Sequence, residues 1–158
     1  MPATFHHAFT LLLGLILCQC SHEPRLAPFR TDGCTLLPEQ SPGGTHNWRD
    51  CCIQHDLDYW KGGSEDERLA SDQRLHDCIL RKTDNPEFAK LVFETVKETG
   101  RPDYPTWYRW GYGWNYLRPA SPLTPAEQAM VTERMKTANL QPCTNCGSRK
   151  PRRHPAHR

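Results

Sequence analysis

The first twenty residues contain no aspartate, glutamate, lysine or arginine. That absence argues against a solvated start. With the apolar run FTLLLGLILC at Phe9–Cys18 it fits the hydrophobic segment of a signal peptide, too short to cross a bilayer. A basic flank is also lacking: only the α-amino group, His6 and His7 precede the run. Cleavage after Cys20 would leave Cys18 and Cys20 at the two positions that want small side chains. A lipid anchor at Cys18 or Cys20 is the alternative, with Leu17 or Gln19 before the modified cysteine. An apolar N-terminal core helix is the competing structural reading. The expectation is export, to the periplasm or outside the cell, with residues 1–20 as signal peptide.

No internal repeat is present, and 158 residues support one domain rather than two. Also missing is a second half for a zinc site: Cys143 and Cys146 stand two residues apart, with no matching pair at ribbon or finger spacing. Six cysteines follow Cys20, namely Cys34, Cys51, Cys52, Cys78, Cys143 and Cys146. In an oxidising compartment an even set reads first as a disulfide framework. The last segment, Gly147–Arg158, has no acid and five basic residues, whereas the body from 21 to 146 is slightly acidic. The tail is either a solvated appendage or a tether to anionic lipid, at up to ~1 kcal/mol per basic residue near such a surface. Nothing in the chain points to nucleic acid, and a monomer is expected.

What is present is mostly helical pattern. Ser21–Gly44, rich in Pro and Gly without a sustained period, reads as loop. A helix from about Trp48 to Trp60 or Lys61 is stopped by Gly62 and Gly63. Ser64 with Glu67 forms a capping box for a second helix reaching about Arg81. Asn85-Pro86-Glu87 opens a third, with Phe88, Leu91, Val92, Thr95 and Val96 on one face, ending near Gly100. Thr124 with Glu127 caps a fourth, carrying Met130, Val131 and Met135. Between the last two, every second residue from Tyr108 to Tyr116 is aromatic, an alternation that reads as strand. In a chain poor in Phe and Ile these rings either complete the core or line an acyl channel and lipid-facing surface.

The stretch DCCIQHDLDYWKGG, Asp50–Gly63, carries the chemistry. If helices one and two run antiparallel about Gly63 and Ser64, facing residues have numbers summing to about 127–129. Cys51 then faces Cys78, and His55 faces Asp72. A carboxylate there fixes the imidazole tautomer and stabilises the imidazolium, the arrangement of a general base with its orienting partner. A plain interhelical hydrogen bond is the bland alternative. Asp56 points about 100° away from His55 and needs another role. Facing the irregular loop at 33–44, it could hold calcium with backbone carbonyls.

Cys51-Cys52-x-x-His55-Asp56-x-x-Tyr59 resembles the active-site helix of secreted phospholipases A2, and Asp72 with Cys78 resembles that family's second helix. The likeness covers about Thr31–Leu80. It implies a mostly α, disulfide-stapled antiparallel hairpin with further C-terminal helices and an aromatic loop or strand. His55 would deprotonate water, Asp72 would hold its other nitrogen, Tyr59 would buttress Asp72, and Asp56 would bind Ca2+. Cys51 would bridge Cys78, Cys34 would bridge Cys52, and Cys143 and Cys146 remain as a local bridge. Asp32-Gly33-Cys34 with Gly43-Gly44 is similar to a reduced calcium loop, without the family's Tyr-Gly-Cys-x-Cys-Gly run. Asp58 and Ser71 stand where the family often has a second interhelical disulfide. The 17-residue interval from His55 to Asp72 is similar to the compact bacterial and fungal members. The implied activity is calcium-dependent hydrolysis of a phospholipid ester at a membrane or micelle surface. The alternative is a non-catalytic exported module that binds lipid or protein.

Overall fold

The computed structural model describes residues 24–116 and 118–138. Within them lie four helices: α1 Arg49–Lys61, α2 Glu65–Thr83, α3 Pro86–Thr99 and α4 Pro125–Lys136. Among the described residues there is no strand, only an isolated antiparallel bridge between Gln40 and Asn47. The chain is mostly helical, and its boundaries follow the capping chemistry. Ser64 and Glu67 exchange reciprocal hydrogen bonds at the start of α2, as do Thr124 and Glu127 at the start of α4. Asn85 caps α3, with Pro86 at its first position. Trp48, expected inside α1, instead precedes it. Its buried indole donates to the Pro38 carbonyl at 2.8 Å and anchors the incoming loop.

The α1–α2 pair runs antiparallel. Cys51 is bonded to Cys78, His55 meets Asp72, and Ser71 meets Asp58, so one number falls as the other rises. A second disulfide, Cys34–Cys52, ties the N-terminal loop to α1. The two bridges close loops of 27 and 18 residues, each worth on the order of 3 kcal/mol in the chain-entropy view. Cys143 and Cys146 lie outside the described residues, as do the segment before residue 24 and the basic tail. At Asp58 and Ser71 a buried polar cluster joins the helices. The Asp58 carboxylate accepts from Ser71 Oγ at 3.2 Å and Arg74 Nη2 at 2.8 Å, and pairs with Lys61 Nζ at 2.7 Å. Burial opposes that charge, but Lys61 and Arg74 overcome it and hold the carboxyl below its usual range.

One apolar cluster fills the space beneath both disulfides, with Leu75, Ile79, Ala89 and Val92 at its centre. A second joins Leu26, Leu57, Trp60, Trp114 and Val131, bringing α4 and the N-terminal loop together. α3 contributes Ala89 and Val92 fully and Phe88 and Val96 in part. Leu91, expected on that face, is 61% exposed, because the face turned to α2 is narrower than the apolar stripe.

The aromatic alternation is not a strand. The backbone at 109–114 turns twice, with Tyr112 N donating to Arg109 O and Trp114 N to Gly111 O, and Gly111 has φ +72°. What repeats every second residue is a cap for the end of α1. The last carbonyls of a helix have no partner within it. Here the amides of Gly111 and Gly113 donate to Tyr59 O and Trp60 O, and the Trp114 indole to Lys61 O. The Trp110 indole reaches Gly63 O one step further on. Glycines alternate with the rings because the backbone must come close: a Cβ at Gly113 would lie 2.5 Å from the Trp60 ring. Trp110 and Trp114 are buried in this work, while Trp107 and Tyr116 stay about half exposed.

Candidate active site

His55 and Asp56 are neighbours on α1, so their side chains face different parts of the molecule. His55 turns to α2, where its Nε2 lies 2.9 Å from Asp72 Oδ1. A carboxylate can only accept, so Nε2 carries the proton and Nδ1 keeps its lone pair. Nδ1 makes no hydrogen bond among the described residues, and His55 lines a cavity.

Asp72 is fully buried and takes three donors. Besides His55, the Tyr59 hydroxyl donates to Oδ1 at 2.7 Å, and Arg68 Nη1 donates to Oδ2 at 3.1 Å. Burial and the adjacent Asp72 charge push the Tyr59 phenol pKa well up, so its hydroxyl remains a donor. The Tyr59 ring also lies against the His55 ring, with centroids 4.2 Å apart. Room for that ring depends on Gly100, where any Cβ would collide with the Tyr59 hydroxyl and ring edge. Arg68 is itself pinned: Nη1 also reaches Lys97 O at 3.1 Å, while Nε and Nη2 hold Glu65. Burial works against its charge, and the hydrogen bonds and charges around it more than offset that, so it stays protonated.

Asp56 has a different setting. It faces the loop at 31–33 and is half-buried. Its Oδ2 accepts from the Thr31 hydroxyl at 2.5 Å, and that hydroxyl accepts from Gly33 N at 3.0 Å. No Lys or Arg pairs with Asp56 or Asp32 among the described residues. Burial pushes the Asp56 carboxyl up to about 7, the Thr31 bond opposes this, and the Asp32 charge adds to it. Two acids beside one short loop, Asp56 largely withdrawn from water and Asp32 exposed, with no paired cation among the described residues, are a donor set suited to a hard ion such as calcium. Among the described residues no three His, Cys, Asp or Glu side chains converge, so backbone oxygens would have to complete such a site. The loop is held from above by Tyr112, whose hydroxyl donates to Arg30 O at 2.6 Å.

The cavity that His55 and Asp56 share is about 140 Å³. Its walls come from the loop at 33–37, Leu75 on α2, and Val96 and Thr99 on α3. Gly33 belongs to this wall, whereas Gly43 and Gly44, grouped with it by resemblance, lie outside it, in a turn closed by Gly44 N donating to Ser41 O.

The four residues read from the sequence as site residues are thus gathered at one place. Arg68, Gly100, Thr31 and Tyr112 were not foreseen. Arg68 had a signal: four residues before Asp72, it shares that residue's helix face. The other three act across long sequence separations and had none. No family model, curated protein or solved structure matches the chain.

Proposed function

We propose that the protein is an exported, calcium-dependent hydrolase of the phospholipase A2 type, cleaving a phospholipid ester to fatty acid and lysophospholipid. The observation that carries this reading is the pairing of His55: Nε2 is committed to Asp72, Nδ1 has no hydrogen-bond partner among the described residues, and the residue lines a cavity together with Asp56. In the proposed reaction Nδ1 takes a proton from water, and the resulting hydroxide adds to the ester carbonyl carbon. As the imidazole becomes charged, Asp72 stabilises it across the Nε2 hydrogen bond, and Tyr59 and Arg68 keep that carboxylate in place. The proton then passes from Nδ1 to the departing alkoxide, which leaves as lysophospholipid. Asp56 and the oxygens of the 31–33 loop would hold calcium, whose charge favours the developing oxyanion.

The mouth of the cavity suits a lipid surface. Leu36, on its rim, is 89% exposed, and Trp107 packs edge-on against the lining residue Tyr108. Such side chains are favoured where water meets lipid. The test is fatty-acid release from mixed phospholipid vesicles, with calcium and again with a chelator. Release that requires calcium is expected. No release in either condition from folded protein would overturn the reading in favour of a non-catalytic lipid- or protein-binding module.

A further inference from the structure

A groove of about 700 Å³ lies apart from the cavity beside His55 and shares no lining residue with it. Sites that take up a whole small molecule measure about 300–1,000 Å³. The walls include Pro24 and Arg25 from the N-terminal loop, Trp114 and Tyr116 from the aromatic stretch, Arg118, and Glu127 on α4.

The charges around this groove do not balance. Arg118 and Glu127 offset each other in a two-pronged pair, Nε to Oε1 at 2.7 Å and Nη2 to Oε2 at 3.1 Å. Arg25 is exposed and pairs with no carboxylate among the described residues. Behind the groove Arg109 is only 5% exposed, and it too has no acid partner among the described residues. Its Nη1 and Nη2 donate to Trp110 O at 3.0 Å and Trp114 O at 3.2 Å. Burial pushes its pKa down, the mark of a charge poorly compensated where water is scarce. Outside the described residues the chain carries one acid, Glu23, and five basic residues, so those segments cannot match both arginines.

The rings give the missing partner a shape. Tyr116 is 49% exposed, and its hydroxyl is fixed by donating to Asp103 O at 3.0 Å. The Arg109 guanidinium lies 4.8 Å from the centroid of its ring. A cation there offsets the negative face of the ring, which would otherwise repel an anion. We propose that this groove binds a small aromatic oxyanion, its ring against Tyr116 and its carboxylate or phosphate on Arg25. Arg109 supplies a fixed charge from behind the ring. The site does not depend on the hydrolase reading.

Calorimetry on the full chain without calcium tests it, with benzoate, phenyl phosphate, inorganic phosphate and benzyl alcohol as probes. Benzoate and phenyl phosphate should bind saturably, with Kd of about 1 mM or tighter. The tighter of the two names the head group that the site takes. Inorganic phosphate lacks the ring and benzyl alcohol lacks the charge, so each should bind about tenfold more weakly. Arg25→Gln, at an exposed position, should weaken both acids by about tenfold, and Tyr116→Leu by about fivefold. His55→Gln should leave both unchanged. Benzyl alcohol binding as tightly as benzoate, affinities unmoved by Arg25→Gln, or binding lost in His55→Gln would overturn the site. So would inorganic phosphate matching phenyl phosphate, or no saturable binding of either acid.

Discussion

Asp72 and Asp56 flank the same imidazole, yet they are held in opposite ways. Asp72 is sealed from water and surrounded by donors from Tyr59, His55 and Arg68. Asp56 has one hydroxyl donor and faces the loop that carries Asp32; burial first, and then the Asp32 charge, push its carboxyl up to about 7. The protein has compensated one charge with its own residues and pairs the other with no Lys or Arg among the described residues. A buried charge that is fully hydrogen-bonded serves as a fixed part of the scaffold. A crowded carboxylate at a cavity edge serves as a ligand. The difference separates the base and its support from the metal side of the proposed mechanism, and it can be attacked from either end.

The largest effect is expected at the residue between them. His55→Gln keeps a similar shape and removes the base, so hydrolysis should fall by about a thousandfold or more. Calcium binding, measured by calorimetry, should be unchanged, because His55 contacts Asp72 and not the 31–33 loop. Full activity in this variant would remove the mechanism.

Asp56→Asn should come next and should act on the other side of the comparison. The neutral side chain can still accept from Thr31 but no longer offers a charge, so calcium binding and activity should be lost together. The same change has a second signature in metal-free protein. Because the folded carboxyl titrates near 7, above its ordinary 3.8, the fold weakens as pH rises through that interval, and the full penalty is present above about 7. Removing the charge should therefore make the metal-free variant more stable than the parent above pH 7, by up to about 4 kcal/mol, with no gain near pH 4. Chemical denaturation at the two pH values checks this. Normal calcium binding by the variant would show that the cation sits elsewhere.

Asp72→Asn should cost less. The base and the metal side stay in place, while the charge facing the imidazolium is lost and Arg68 keeps only the Glu65 carboxylate. Activity should fall by about tenfold to a hundredfold with calcium affinity unchanged. A change in calcium affinity here would break the separation of the two sides.

The two sides also differ in how far they could be read from the amino-acid order. The pairs on the Asp72 side follow from helix periodicity and one turn position: once Gly62, Gly63 and Ser64 mark the reversal, Cys51–Cys78 and His55–Asp72 come from counting. The Asp56 side is built from irregular backbone, where no period links residue 31 to residue 56 or residue 30 to residue 112. The aromatic stretch shows the same limit in another form. Its period of two was real, but it reflected donors spaced to meet successive carbonyls at the end of α1 rather than a pleated strand. Periodicity reports which residues repeat. It does not report which groups they repeat against.

The smallest effect should come from Tyr59→Phe, which removes one donor from the better compensated of the two carboxylates. The ring keeps its place against His55 and Trp110, so packing changes little. Asp72 Oδ1 loses the 2.7 Å hydroxyl bond but keeps His55, and Oδ2 keeps Arg68. One hydrogen bond to a charged group among three is worth about 1.5 kcal/mol, so kcat should fall by about tenfold or less, with KM and calcium affinity unaltered. A second variant separates the hydroxyl from the ring: Gly100→Ala forces the whole Tyr59 side chain to move, and it should lower activity more than Tyr59→Phe does. If Gly100→Ala were the milder of the two, the ring would not be what holds the imidazole, and the support of His55 would rest on Asp72 and Arg68 alone.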